Sequence, residues 1–289
     1  MTIVVTGATG QLGRLVVESL LERGVPAGTI RALGRSAERL APLAERGVET
    51  AVIDFEQPET LDGAFDGADV LLLVSGSETG KRVPQHRNAI DAAVRTGVGR
   101  VVYTSAPYAT TSELVLAPEH AETERLLADS GLTVTVLRNN WYTENYAGTL
   151  DVAAATGEIV GSAGDGRVAS ATRAEYAEAT AVVLTTPGHD GAIYELSGDR
   201  AWTFEEFARE ASTLLGRDVV YRSVAPEEHV RILTDAGLDE GTAVFVAALD
   251  GNIRDGALGQ ASPTLGELIG RPTTTLAEGL AQLREPAAA

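Results

Sequence analysis

Gly7-Ala8-Thr9-Gly10-Gln11-Leu12-Gly13 is the segment with the clearest chemistry in this sequence. It follows a short apolar run, Thr2–Thr6, and opens a segment of helical period, so its glycines stand where a strand turns into a helix. Gly7 permits a tight turn, Gly10 lets the backbone approach a pyrophosphate, and Gly13 lets a helix pack closely on a sheet. A phosphate then lies on the helix N-terminus, where unpaired N–H groups and the helix dipole favour an anion. The spacing is GxxGxxG rather than GxGxxG, with the same physics. Gly7, Thr9, Gly10, Gln11, Leu12 and Gly13 form the expected phosphate-binding set.

The end of the second apolar run selects the dinucleotide. An NAD site places a carboxylate there, accepting from the ribose hydroxyls. Here the residues are Ala32-Leu33-Gly34-Arg35-Ser36, with no acid. Arg35 can pair with a 2′-phosphate and Ser36 can add a hydrogen bond, so the expected cofactor is NADPH. Arg35 as a solvated helix-start residue is the competing reading. Asp54 ends the third run, where it either accepts from an adenine amino group or caps the next segment. Ser75 and Ser77 follow the fourth run and are expected to line the nucleotide crevice; a plain loop is the alternative.

A third group is Arg138-Asn139-Asn140-Trp141-Tyr142-Thr143-Glu144-Asn145-Tyr146. In a chain with only 5% aromatic residues, three rings among amide side chains stand out. Arg138, Asn140 and Trp141 are expected at the cofactor, with Asn140 on the nicotinamide carboxamide. Trp141, Tyr142 or Tyr146 can wall a flat acceptor by stacking; aromatics packed inside the protein are the alternative. Arg173 either borders the cofactor or forms a surface ion pair.

These groups must be held by elements of a particular kind. Apolar runs at Thr2–Thr6, Thr29–Leu33, Val48–Ile53, Val70–Val74, Arg100–Thr104 and Thr133–Leu137 are nearly continuous, as in strands buried on both faces. Helix-period segments lie between them: one with Leu12, Leu15, Val16, Ser19 and Leu20 on one face, then Ser36–Arg46, Pro58–Phe65, Lys81–Thr96 and Pro118–Ser130. Gly24, Gly47, Gly97 and Gly131 follow four of the helices, where a left-handed cap is wanted. The expected fold class is α/β, a Rossmann-like doubly wound parallel sheet with a smaller, mostly helical C-terminal substrate lobe. Residues 1–150 form the expected dinucleotide-binding domain and 151–289 the substrate-side lobe, part of 167–196 returning to the main sheet. In that second half, strands are expected near Arg167–Ser170 and Ala192–Leu196. Helices are expected near Ala174–Thr185, Phe204–Leu215, Pro226–Ala236, Thr242–Leu249 and Thr275–Leu283. Pro286 to Ala289 read as a frayed tail.

Composition removes other classes. The net charge of −18 argues against a general basic surface for nucleic acid or anionic membrane. With no cysteine there is no disulfide, thiolate metal site or cysteine nucleophile. The four histidines lack metal-ligand spacing and no serine sits in GxSxG, so no metal site or nucleophile elbow is expected. Apolar runs such as Val70–Val74 are far shorter than the about 20 residues that span a bilayer, and no secretory signal is visible. A cytoplasmic protein without membrane insertion is expected, its oligomeric state left open, a homodimer included.

GATGQLG, LGRS, PQHRNAIDAA, EHAETERLLADSGL, LRNNWYTENY and LIGRPTTTLAE together resemble the NmrA-like, atypical short-chain dehydrogenases. The likeness is greatest to the type 2 NAD(P)H:quinone oxidoreductases and covers essentially the whole chain. It implies NADPH-dependent reduction of a small electron acceptor, a quinone. A triphenylmethane dye, or non-enzymatic sensing of the dinucleotide, are the alternatives. Ordinary short-chain dehydrogenases use a Tyr-x-x-x-Lys pair. Lys81 is the only lysine and Ser77 stands four residues before it, so that pair is absent. The matching helix positions are His120 and Glu124, and Ser105 matches the family's serine, either bonding a substrate carbonyl or capping a loop. Tyr142, as acceptor wall, and His120, as a proton donor of near-neutral pKa, are the catalytic candidates; His120 on a helix surface is the alternative.

Overall fold

The computed structural model describes residues 1–284, so the expected frayed tail lies outside the described residues. In chain order the elements are β1 (Ile3–Val5), α1 (Gln11–Glu22), β2 (Ile30–Gly34), α2 (Ala37–Glu45), β3 (Glu49–Val52), α3 (Asp62–Phe65), β4 (Val70–Leu73), α4 (Arg82–Arg95), β5 (Arg100–Ser105), α5 (Ala117–Asp129), β6 (Thr133–Asn139), α6 (Ala147–Thr156), β7 (Glu158–Gly161), β8 (Arg167–Val168), α7 (Arg173–Thr185), β9 (Ile193–Leu196), β10 (Trp202–Thr203), α8 (Phe204–Leu215), β11 (Val220–Ser223), α9 (Pro226–Asp235), α10 (Glu240–Arg254), α11 (Thr264–Ile269) and α12 (Leu276–Arg284). They fall into two units. The first takes Met1–Thr110, Leu116–Asn139 and Arg173–Leu196; the second takes Thr111–Val115, Asn140–Thr172 and the residues from Ser197 on.

The first unit is built on a seven-stranded sheet of order β3-β2-β1-β4-β5-β6-β9. Every neighbouring pair is parallel. The doubly wound sheet read from the sequence is therefore present. The continuous apolar strands are the reason: Ile3, Val4 and Val5 are fully buried, which only a strand covered on both faces requires. On one face Val4, Leu33, Leu71, Val101 and Tyr103 pack with Leu61, Phe65, Ile90 and Leu127. On the other, α1 lies against α7. This double contact buries Val17 as well as Leu12, Val16 and Leu20, while Leu15, expected on the buried face, is only partly covered. The chain order reverses between β1 and β4, and open α/β sheets bind ligands beyond the strand ends at such a point.

Gly24, Gly47, Gly97 and Gly131 all take positive φ and end their helices as expected. The segment Pro58–Phe65 differs from the single helix expected. It splits into a 3-10 turn, Pro58–Thr60, and α3, because the Thr60 hydroxyl bonds Asp54 and Gln57 backbone instead of leaving the helix ladder undisturbed. In the second unit β7 pairs with β11 in parallel and β8 with β10 antiparallel, among α6 and α8 to α12. Among the described residues no helix is long and apolar enough to cross a membrane.

Candidate functional site

The turn from β1 into α1 is pinned by Thr6, whose hydroxyl donates to Leu72 O and accepts from Val74 N–H, each at 3.0 Å. Gly7 sits at φ +62, and a Cβ there would come within 3.3 Å of the Val74 Cβ. A Cβ on Gly13 would collide with the Gly7 carbonyl. Gly10 is the N-cap of α1 and has no side chain to cap it; the first turn holds no acidic residue. The amides of Gln11, Leu12 and Gly13 thus have no intrahelical acceptor, a preformed anion site. Ala8 N–H donates to Leu33 O at 2.9 Å, and the Thr9 side chain fills the place where a Gly34 Cβ would be. These contacts tie the glycine loop to the end of β2.

Arg35 follows β2 directly and is 70% exposed at its side chain. Its Nη1 lies 2.7 Å from Glu78 Oε1, so the guanidinium is in an ion pair. Ser36 caps α2 by accepting from Arg39 N–H at 3.3 Å, which leaves its hydroxyl hydrogen to donate elsewhere. Asp54 Oδ1 accepts from Glu56 N–H at 2.9 Å, a local bond that turns the chain after β3. Ser75 N–H donates to Thr104 Oγ1 at 2.9 Å, and Ser77 is exposed in the same loop.

Beneath that loop lies a buried polar chain. Gly76 N–H donates to His86 Nε2 at 3.0 Å, which puts the imidazole proton on Nδ1, facing Thr123 Oγ1 at 3.0 Å. Tyr103 Oη and His120 Nδ1 are 2.8 Å apart. Burial, with Arg82 nearby, pushes His86 and His120 down to about 3 each. The near-neutral pKa expected of His120 therefore gives way to a lowered one, which favours the neutral ring near pH 7. A pH dependence follows. Both imidazoles titrate near 6.5 when unfolded and about 3 when folded, so their share of stability is complete above pH 6.5 and is lost as pH falls toward 3. From pH 6.5 to 5, stability should fall with a slope approaching about 2.7 kcal/mol per pH unit from two protons. Denaturant titrations of wild type and His120→Gln check it: the variant's slope should be smaller by up to about 1.4 kcal/mol per pH unit, one proton's share, and equal slopes would refute the assignment.

The Arg138 guanidinium, expected at the cofactor, is instead occupied by a clamp of carboxylates. Nε and Nη2 grip Glu124 at 2.9 and 2.6 Å, Nη1 reaches Glu195 at 2.8 Å, and Nη2 also meets Thr110 at 3.2 Å. Hydrogen bonds to both carboxylates hold the arginine charged. Ser105 donates to Glu124 at 2.6 Å, which is neither of its expected roles. Tyr108, at φ +48, gives its N–H to Glu195 at 3.0 Å. The clamp thus fixes the loop that leaves β5.

In the second unit, Trp141 to Thr143 run alongside Ala171: Ala171 N–H donates to Trp141 O at 3.1 Å and Thr143 N–H to Ala171 O at 2.9 Å. Trp141 and Tyr142 keep partly exposed side chains. Asn140 Nδ2 donates to Leu258 O at 3.3 Å, while its Oδ1 is buried with no hydrogen-bond partner. Tyr146 is not a wall for an acceptor. Its ring is buried against Trp202, Phe204 and Phe207, with centroids 5.0 to 5.7 Å apart. Ser162, His229 and Asp250 also meet, but Ser162 Oγ and Asp250 Oδ2 both face the same His229 Nδ1, each at 3.2 Å. That geometry cannot relay a proton from the serine through the ring.

Residues 7–187 match the family model described as NAD(P)H-binding. The chain belongs to the NAD(P)H-binding family. Quinone oxidoreductase 2 of Escherichia coli (strain K12) is 46% identical over 281 residues, 97% of this chain and 98% of that one. The crystal structure of an NADPH-dependent quinone oxidoreductase from Escherichia coli, complexed with NADPH, superposes with a TM-score of 0.95 at 45% identity, covering 98% of this chain and 100% of that one. A Citrobacter sp. triphenylmethane reductase complexed with NADP(H) gives a TM-score of 0.94 at 40% identity over 98% and 100%. The likeness to type 2 quinone oxidoreductases read from the motifs is borne out at full length.

Three groups of this NAD(P)H-binding protein escaped the sequence reading. They are the contacts that bury His86 and Tyr103 beside His120, the pairing of Arg138 with Glu124 and Glu195, and Glu78. One signal was present: Glu195 is a carboxylate inside the apolar strand Ile193–Leu196, and a charge there needs a partner.

Proposed function

We propose that this protein is an NADPH-dependent oxidoreductase that reduces quinones by hydride transfer. The observation that carries the reading is the uncapped N-terminus of α1, at the point where the sheet order reverses, beside Arg35 rather than a carboxylate. Gly7, Thr9, Gly10, Gln11, Leu12 and Gly13 receive the pyrophosphate; Arg35 and Ser36 receive the 2′-phosphate. Asp54, Ser75 and Ser77 border the adenine and nucleotide edges. The second unit carries candidate groups of its own: Asn140, whose orphaned Oδ1 suits an amide N–H, and the flat faces of Trp141 and Tyr142. Bound NADPH supplies the hydride. A quinone accepts hydride readily and needs little acid catalysis, which suits a site where Glu124 is clamped and His120 is neutral. The identity to the Escherichia coli quinone oxidoreductase supports the acceptor, and the compartment that fits is the cytoplasm.

Steady-state oxidation of NADPH, with and without a small benzoquinone, tests this. Turnover should require the quinone. The likeness to the triphenylmethane reductase makes a triphenylmethane dye the comparison acceptor, and it should be reduced more slowly. NADPH binding with no turnover of either acceptor would replace the enzyme reading with a sensor.

A further inference from the structure

Arg35 does not wait free for a phosphate. The Glu78 carboxylate, 43 residues away in sequence, holds its guanidinium at 2.7 Å. Glu78 is not on a loose segment. The loop from Ser75 to Lys81 is anchored at Gly76, whose N–H donates to His86 and whose carbonyl accepts from Arg82 Nε at 2.8 Å. It is anchored again at Gly80, whose N–H donates to Glu119 at 2.8 Å. The other Glu78 oxygen, Oε2, lies 3.5 Å from Lys81 Nζ, which also pairs with Glu56 at 3.1 Å. Glu78 therefore stands between two cations, one at the end of β2 and one at the start of α4.

We propose that Glu78 is a specificity residue of the dinucleotide site: its carboxylate occupies Arg35 in the free protein and is displaced toward Lys81 when a 2′-phosphate arrives. The proposal rests on the reading of Arg35 as the 2′-phosphate residue. A carboxylate and a phosphate use the same guanidinium donors. A dianionic phosphate beside an undisplaced Glu78 would meet like charge. Lys81, three residues on, offers the displaced carboxylate a second partner already within reach. NADH carries no 2′-phosphate, so it binds with the Arg35–Glu78 pair intact. Glu78 thus weakens NADPH binding selectively and lowers the preference that Arg35 creates. Both side chains are substantially exposed, 70% and 36%, so the competition is modest and screened by salt.

The test is Glu78→Gln, made in wild type and in Arg35→Ala, with Kd for NADPH and NADH measured by fluorescence titration at low salt. In the wild-type background, Glu78→Gln should tighten NADPH by about three- to fivefold, the scale of one exposed ion pair. NADH should move by less than about twofold, within the small end of exposed-pair energies. In Arg35→Ala the gain for NADPH should shrink to less than about twofold, the like-charge repulsion that remains once there is no guanidinium to compete for. Unchanged NADPH affinity, an equal gain for NADH, or an undiminished gain in Arg35→Ala would each overturn the role of Glu78 while leaving the cofactor reading standing. A wild type that binds no NADPH would remove the cofactor reading and this proposal with it.

Discussion

A Gly10→Val protein should fold normally and bind NADPH about a hundredfold or more weakly. Gly10 lies at φ −87 and ψ 173, extended backbone that any residue adopts. A Cβ there would meet the Gly7 carbonyl at 3.1 Å, a tight contact that this exposed loop relieves by giving a few tenths of an ångström, so any cost to folding should be small beside the loss of binding. The isopropyl group would then stand at the uncapped amides of α1, where the pyrophosphate must approach. Losing two charge-assisted hydrogen bonds, each roughly 1.5–3 kcal/mol, removes at least about 3 kcal/mol, or two decades of affinity. Gly13 provides the contrast. It is buried, and a Cβ there collides with the Gly7 carbonyl, so Gly13→Ala should lower Tm itself. Kd titrations and thermal melts of both variants separate binding from packing. Wild-type NADPH affinity in a well-folded Gly10→Val protein would rule the loop out as the phosphate site.

The two glycines illustrate what local sequence can carry. A turn, a close approach and a helix cap each depend on a few adjacent residues. The glycine loop, the continuous apolar strands and the caps at Gly24, Gly47, Gly97 and Gly131 were therefore legible. Elements held by tertiary context were not. The α6 segment, AGTLDVAAAT, has no apolar stripe, and β11 is mostly exposed and exists through its pairing with β7. Charges were the least legible part of the candidate site. Arg138 reads as a ligand-seeking arginine until Glu124, 14 residues away, and Glu195, 57 away, are seen to occupy it. His120 reads as a titrating group until its burial beneath β5 is known. In both cases the residue type was read correctly, and the surroundings that set its chemistry, ion-pair partners for Arg138 and burial for His120, were brought in by the fold.

Arg35 is where such a partner changes a number. A charge-assisted bond to a 2′-phosphate contributes roughly 1.5–3 kcal/mol. Giving up the exposed Glu78 pair returns up to about 1 kcal/mol of that. The net, near 1.5 kcal/mol, corresponds to a wild-type preference for NADPH over NADH of about tenfold in kcat/KM. Arg35→Asp should reverse it. The variant sets a second carboxylate beside Glu78, which repels the phosphate, and gives the ribose hydroxyls the acceptor that NAD sites place at the end of this strand. A preference of about tenfold for NADH makes the full swing about a hundredfold, or about 2.7 kcal/mol. Because Arg35 is exposed, the substitution leaves no buried charge behind, and Tm should stay close to that of wild type. Raising the salt should erode wild-type kcat/KM for NADPH and leave that for NADH nearly unchanged, since only the former depends on the charge pair. Equal kcat/KM for the two dinucleotides in wild type at low salt would mean that Arg35 serves Glu78 alone.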